Sequence, residues 1–127
     1  MKPAPAFCVL ATLLSSLQLP AADLTIHLSG SPQFSHRVER VACDANGATM
    51  GLPSGVFTVE YINGGDNSLA IVPVNGKSLI FANVVAGSGA RYMARQYTWW
   101  DAAGRGITFT SDWIDGKKAA NCQTAKK

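Results

Sequence analysis

Ser88 is the residue whose setting most invites chemistry. It stands in Ala86-Gly87-Ser88-Gly89-Ala90-Arg91-Tyr92, ahead of a strand-type run that ends in Trp99-Trp100. A serine between two glycines superficially fits a nucleophile turn, but a nucleophile elbow needs a strand before it and a helix after it. Here strand-type residues follow. His27 and His36 are the only two histidines, with no cysteine or carboxylate at metal-ligand spacing, so each reads as a strand-surface side chain. The carboxylates are scattered over turns and strand faces, and their spacing places no glycosidase pair. No catalytic site, metal or cofactor is therefore expected. What Ala86 to Trp100 does offer is a binding turn: a hydroxyl, the cation Arg91, aromatic rings, and glycines at 87 and 89 that let backbone approach a partner closely.

The elements that must hold this turn read as strands. Leu24 to Ser29 alternates Leu24, Ile26 and Leu28 against Thr25, His27 and Ser29, the pattern of a half-buried strand. His36 to Asp44 predicts a second strand, with Asp44-Ala45-Asn46-Gly47 as a turn after it. Val56 to Asn63 is the clearest, with Phe57, Val59 and Tyr61 on one face. Ser68 to Val74 follows, and Pro73 places its end at a sheet edge or bulge, since proline cannot donate to a ladder. Asn75-Gly76 is the strongest hairpin signal in the chain and returns it through Lys77 to Val84.

Tyr92 to Ala94, Tyr97 to Asp101 and the alternating stretch from Ile107 to Thr110 read as further strands. Trp113 to Cys122 is mixed, with a tight turn expected at Asp115-Gly116. Successive strand residues point to opposite faces, so Tyr97 and Trp99 share one face and Thr98 and Trp100 the other. Outside the N-terminal apolar run no segment carries a helical period of ten residues or more. Seven or eight short strands predict an all-β fold, a small antiparallel barrel of about eight strands. Closure removes exposed edges, which favours a barrel over a sandwich.

Composition bounds the rest. At 127 residues, 47% hydrophobic and 15% charged, the chain fits one compact domain. Lys2, the apolar run from Phe7 to Leu19 and Pro20-Ala21-Ala22 have the three parts of a secretory signal. Residues 1–22 are thus expected to be a signal peptide, cleaved after Ala21 or Ala22, and 23–127 the mature domain. The run is too short to span a bilayer comfortably, and no integral membrane segment is expected in the mature chain. Cys8 sits near the front of the run and not behind a small-residue triplet, so a soluble periplasmic protein is expected, not a lipoprotein. Without Lys2 the basic residues fall from eleven to ten against eight acidic ones, too mild a balance for a nucleic-acid partner. The mature chain keeps Cys43 and Cys122; in an exported protein such a pair defaults to a disulfide, the alternative being two buried free thiols. No residue pattern specifies an oligomeric state.

Gly87-Ser88-Gly89-Ala90-Arg91-Tyr92 and Tyr97-Thr98-Trp99-Trp100, framed by Val41-Ala42-Cys43-Asp44 and Asn121-Cys122-Gln123, resemble the MliC/PliC family of bacterial C-type lysozyme inhibitors. The resemblance runs from about Val38 to Gln123. It implies an eight-stranded antiparallel barrel, a Cys43–Cys122 disulfide, and a loop that enters the lysozyme cleft with Ser88 and Tyr92 as the serine and tyrosine of its SGxxY motif. Such a cleft works with two carboxylates, which a hydroxyl, exposed N–H groups and a cation complement. The family follows its tryptophan with a Lys-Gly loop; here Asp101-Ala102-Ala103-Gly104-Arg105-Gly106 follows Trp100, and the nearest cation is Arg105. The expected lysozyme-binding residues are Ser88, Gly89, Arg91, Tyr92, Trp100 and Arg105. Ser88 is either the cleft probe or an ordinary turn serine, Arg91 either reaches a partner carboxylate or pairs within the barrel, and Tyr92 reads best as a ring packed under the loop. The alternative function is an envelope or carbohydrate-binding barrel without lysozyme inhibition, for which an outward tryptophan beside the loop would be the contact.

Overall fold

The computed structural model describes residues 2–5, 21–113 and 118–126. Eight strands form one closed barrel in which each pairs antiparallel with the next and the last with the first. They are β1 (Phe34–Cys43), β2 (Val56–Gly64), β3 (Asn67–Val74), β4 (Lys77–Val84), β5 (Ala90–Ala94), β6 (Tyr97–Asp101), β7 (Ile107–Ser111) and β8 (Ala120–Thr124). The period-two pattern of the sequence sets which side chains fill the interior. Phe57, Val59 and Tyr61 of β2, Ala70, Val72 and Val74 of β3, Phe81 of β4, Trp99 of β6 and Phe109 of β7 are buried together. Trp99 is wholly enclosed, edge-on to both Phe57 and Phe109, and its indole Nε1 donates to the Tyr61 hydroxyl at 2.9 Å. Tyr97 is buried with it while Thr98 and Trp100 lie on the outer face, as alternation requires.

The closing seam is a short ladder. β1 pairs with β2 from Phe34 to Ala42 but with β8 only from Val41 to Cys43. The Cys43–Cys122 disulfide lies on the last pair of that register and joins residues 79 apart in sequence. Asp44 reinforces it, its backbone N–H donating to the Asn121 carbonyl at 3.0 Å and its carboxylate accepting from Asn121 N at 3.1 Å. Asn75 and Gly76 both adopt positive φ in the β3–β4 hairpin, as the Asn-Gly signal predicts. Pro73 lies on β3 beyond Ile71, where the β2 ladder stops, so its missing N–H deprives no neighbour.

Three local expectations are corrected. Leu24 to Ser29 is not a strand: it pairs with nothing, and Leu24, Ile26 and Leu28 are 67%, 59% and 41% exposed. The barrel closes between β1 and β8, which leaves no edge for another strand. Asp44 to Gly47 is not a simple turn; Asp44 is the N-cap of a one-turn helix, α1 (Ala45–Thr49), accepting from Asn46 N. β1 and β5 begin earlier than predicted, at Phe34 and Ala90, because pairing with β2 and β6 carries each on to the end of its neighbour. The turn expected at Asp115-Gly116 and most of the expected signal peptide lie outside the described residues.

Candidate functional site

Two loops meet at one end of the barrel. Residues 85–89 join β4 to β5, residues 102–106 join β6 to β7, and the register of Ala90 with Asp101 and Arg91 with Trp100 brings them side by side. Gly89 makes the junction tight. It has φ +66°, and a Cβ there would collide with the Asp101 carbonyl oxygen and stand 3.0 Å from Ala102 Cα. Gly87 has open space around it.

Two side chains from β6 and the second loop then hold Ser88. Trp100 Nε1 donates to the Ser88 carbonyl at 3.0 Å, and Arg105 Nη2 donates to Ser88 Oγ at 2.9 Å. Arg105 is itself placed by its Nε, which donates to the Ala102 carbonyl at 3.2 Å. The second loop is closed by Ala102 N donating to the Gly106 carbonyl and Ala103 N to Asp101 Oδ1, at 3.0 and 3.2 Å. On the other flank, Asn83 Nδ2 donates to the Arg91 carbonyl at 3.1 Å. A hydroxyl that accepts from a guanidinium keeps its own O–H free to donate. Ser88 and Arg105 together therefore form a cationic, donor-rich corner suited to a carboxylate.

Of the residues expected from sequence, Ser88, Gly89, Trp100 and Arg105 come together at this corner. Arg91 is exposed beside it and forms no salt bridge among the described residues. Tyr92 does not face outward. Its ring is buried against Tyr61, with its hydroxyl 3.3 Å from Ser68 Oγ, because an inward position on β5 follows from its register with Trp99. Sequence reasoning passed over Val85, which is 91% exposed at the start of the finger; an aliphatic residue directly before a glycine-rich turn was the available signal. It also passed over Asp101, whose carboxylate braces the second loop. Beside the corner, at the barrel mouth, Glu39, Asp101, Arg105, Gln123 and Thr124 line a groove of about 500 Å³.

Residues 53–118 match the family described as membrane-bound lysozyme-inhibitor of c-type lysozyme, MliC. The chain belongs to the MliC family. That description is of a cell-envelope protein. A membrane-bound lysozyme inhibitor of C-type lysozyme from Pseudomonas aeruginosa is 53% identical over 62 residues, which are 48% of this chain and 48% of that protein. One of the same name from Cupriavidus necator is 33% identical over 91 residues, 68% of this chain and 65% of that protein. The chain thus spans about half to two thirds of the curated relatives it matches. The crystal structure of P. aeruginosa MliC in complex with hen egg white lysozyme superposes with a TM-score of 0.65 at 33% identity, covering 84% of this chain and all of that one. The MliC likeness thus extends to the barrel as well as to the finger sequence.

Proposed function

We propose that this chain is a non-enzymatic periplasmic inhibitor of C-type lysozyme that inserts the Gly87 to Tyr92 loop into the active-site cleft. The observation that carries the reading is the Ser88–Arg105 contact at 2.9 Å on a turn braced from both sides. It supplies a directed hydroxyl and a cation to a cleft whose chemistry depends on two carboxylates, one of them ionised during turnover. Binding there leaves the inhibitor intact, because no sugar linkage is offered. Tyr92 supports the loop from beneath, Gly89 allows the close crossing of backbones, and Arg105 takes the place of the family's lysine while also orienting Ser88. The crystal structure of the P. aeruginosa relative with hen lysozyme supports the partner class. The N-terminal basic, apolar and small-residue segments support export and cleavage after Ala21 or Ala22. The carbohydrate reading asked for an outward tryptophan free to stack, and Trp100 is half-buried with its N–H committed to Ser88.

The test is the clearing of cell-wall suspensions by hen lysozyme in the presence of the purified protein. The parent slows clearing at micromolar concentration. Ser88→Ala combined with Arg105→Ala removes hydrogen bonds to a charged partner, typically about 1.5–3 kcal/mol each, and weakens inhibition by at least roughly tenfold with an unchanged circular dichroism spectrum. Full potency in the double variant refutes the loop assignment.

A further inference from the structure

The finger carries one side chain that its own architecture does not use. From Val85 to Ala90 the residues are valine, alanine, glycine, serine, glycine and alanine, so Val85 is the only one larger than serine. It is 91% exposed, more than any other large apolar side chain among the described residues. The bonds that brace the turn run from Trp100 and Arg105 to Ser88 and from Asn83 to Arg91, and none involves Val85. Nor does Val85 belong to the buried cluster inside the barrel. A single exposed valine on a strand face is ordinary. One at the root of a turn otherwise built of the smallest residues supplies all the apolar contact that the turn can make.

We propose that Val85 is the apolar anchor of the finger, seated in the lysozyme cleft against the wall that keeps the catalytic acid protonated. The inference rests on the inhibitor reading and adds a second contact to it. A glycosidase that works with two carboxyl groups must hold one protonated and the other ionised. Apolar surroundings keep the first protonated, and a polar, partly solvated setting keeps the second ionised. The cleft therefore has an apolar side and a polar side. The finger is divided in the same way. Ser88 and Arg105 present donors to the ionised carboxylate, and Val85, three residues earlier, presents the methyl groups of its branched side chain. Three residues of chain reach at most about 10 Å, enough to span the roughly 5 Å between the carboxyl groups of a retaining enzyme. Branching at Cβ leaves valine few rotamers to lose on docking, so most of the gain from burying it is kept.

Cell-wall clearing by hen lysozyme, titrated with the purified protein and two variants, tests this. Val85→Thr keeps the shape of the side chain and replaces a methyl by a hydroxyl; it is expected to raise the inhibition constant about tenfold. Val85→Ile keeps the apolar surface and is expected to stay within about threefold of the parent. Titration calorimetry against the same lysozyme should give the parent and Val85→Ile a more negative heat-capacity change than Val85→Thr, the mark of apolar burial. Melting temperatures should match in all three, because Val85 is exposed in the free protein. Val85→Thr as potent as the parent, or Val85→Ile as weak as Val85→Thr, overturns the proposal while the inhibitor reading stands. So does a melting temperature lowered in Val85→Thr, which would give the side chain a role in the fold. A parent that does not slow clearing refutes the inhibitor reading, and this contact with it.

Discussion

Replacing Gly89 by alanine perturbs the crossing of the two loops and nothing else. At φ +66° a residue with a Cβ costs about 1–2 kcal/mol. The added methyl also meets the Asp101 carbonyl and lies 3.0 Å from Ala102 Cα, both backbone atoms that cannot rotate away. Forcing extra volume into such a place costs about 1–3 kcal/mol more. The sum is about 2–5 kcal/mol. Borne by the whole fold, it lowers the melting temperature by roughly 8–40 °C, at about 4–8 °C per kcal/mol for a domain of this size. Relieved locally, it parts the loops, breaks the Trp100 and Arg105 bonds to Ser88 and weakens inhibition at least roughly tenfold. Gly87→Ala is the control for stability, since nothing in the chain lies within 4 Å of its would-be Cβ, and it should leave the melting temperature unchanged. Thermal melts by circular dichroism and cell-wall clearing, run on both variants, decide the matter. If Gly89→Ala and Gly87→Ala behave alike in both assays, the account of the crossing is wrong.

Three further outcomes are expected. Cys43→Ala with Cys122→Ala releases a cross-link spanning 79 residues; by chain entropy this removes about 4.5 kcal/mol, read as a lower urea midpoint, and a loss under about 1 kcal/mol would show that the β1–β8 seam holds unaided. Burial pushes the Tyr61 hydroxyl up to about 12, with the Trp99 N–H opposing the shift and the charges of Asp101 and Glu39 adding to it. The folded state therefore holds a proton that the unfolded state gives up near pH 10, so this contribution is intact below about pH 10 and is lost as pH rises towards 12. Denaturant melts across that range should show the decline, and Tyr61→Phe should flatten it. The same Tyr61→Phe variant leaves the Trp99 N–H buried without its partner, a loss of about 1–3 kcal/mol in the neutral range, and an unchanged midpoint would mean that the bond contributes nothing.

Much of this was legible in the order of residues. Period-two alternation marked β2 to β4 and β6 to β7 because each of these strands has one face in the core and one outside, and Asn75-Gly76 marked a hairpin because few residues tolerate two successive positive φ values. The same alternation misled at Leu24 to Ser29. It reports that one face of a segment is apolar, and it cannot say whether a neighbouring strand, a second chain or nothing covers that face. At Asp44 the residues were read as a turn, but a capping carboxylate serves a helix as well as a turn.

At the candidate site the sequence by itself determined the parts: a finger of glycine, serine and arginine, a tryptophan pair whose members must face opposite ways, and a pair of framing cysteines. Only the tertiary structure decided how they act. Gly87 and Gly89 are the same letter, yet only Gly89 lies against the Asp101 backbone. Arg105 is seventeen residues from Ser88 in the chain and bonded to it in space, and Tyr92 is turned inward by its register with Trp99. The physical reason is that backbone periodicity and turn preference are local, while the approach of two loops is set by the pairing of β5 with β6 and by the closure of the barrel.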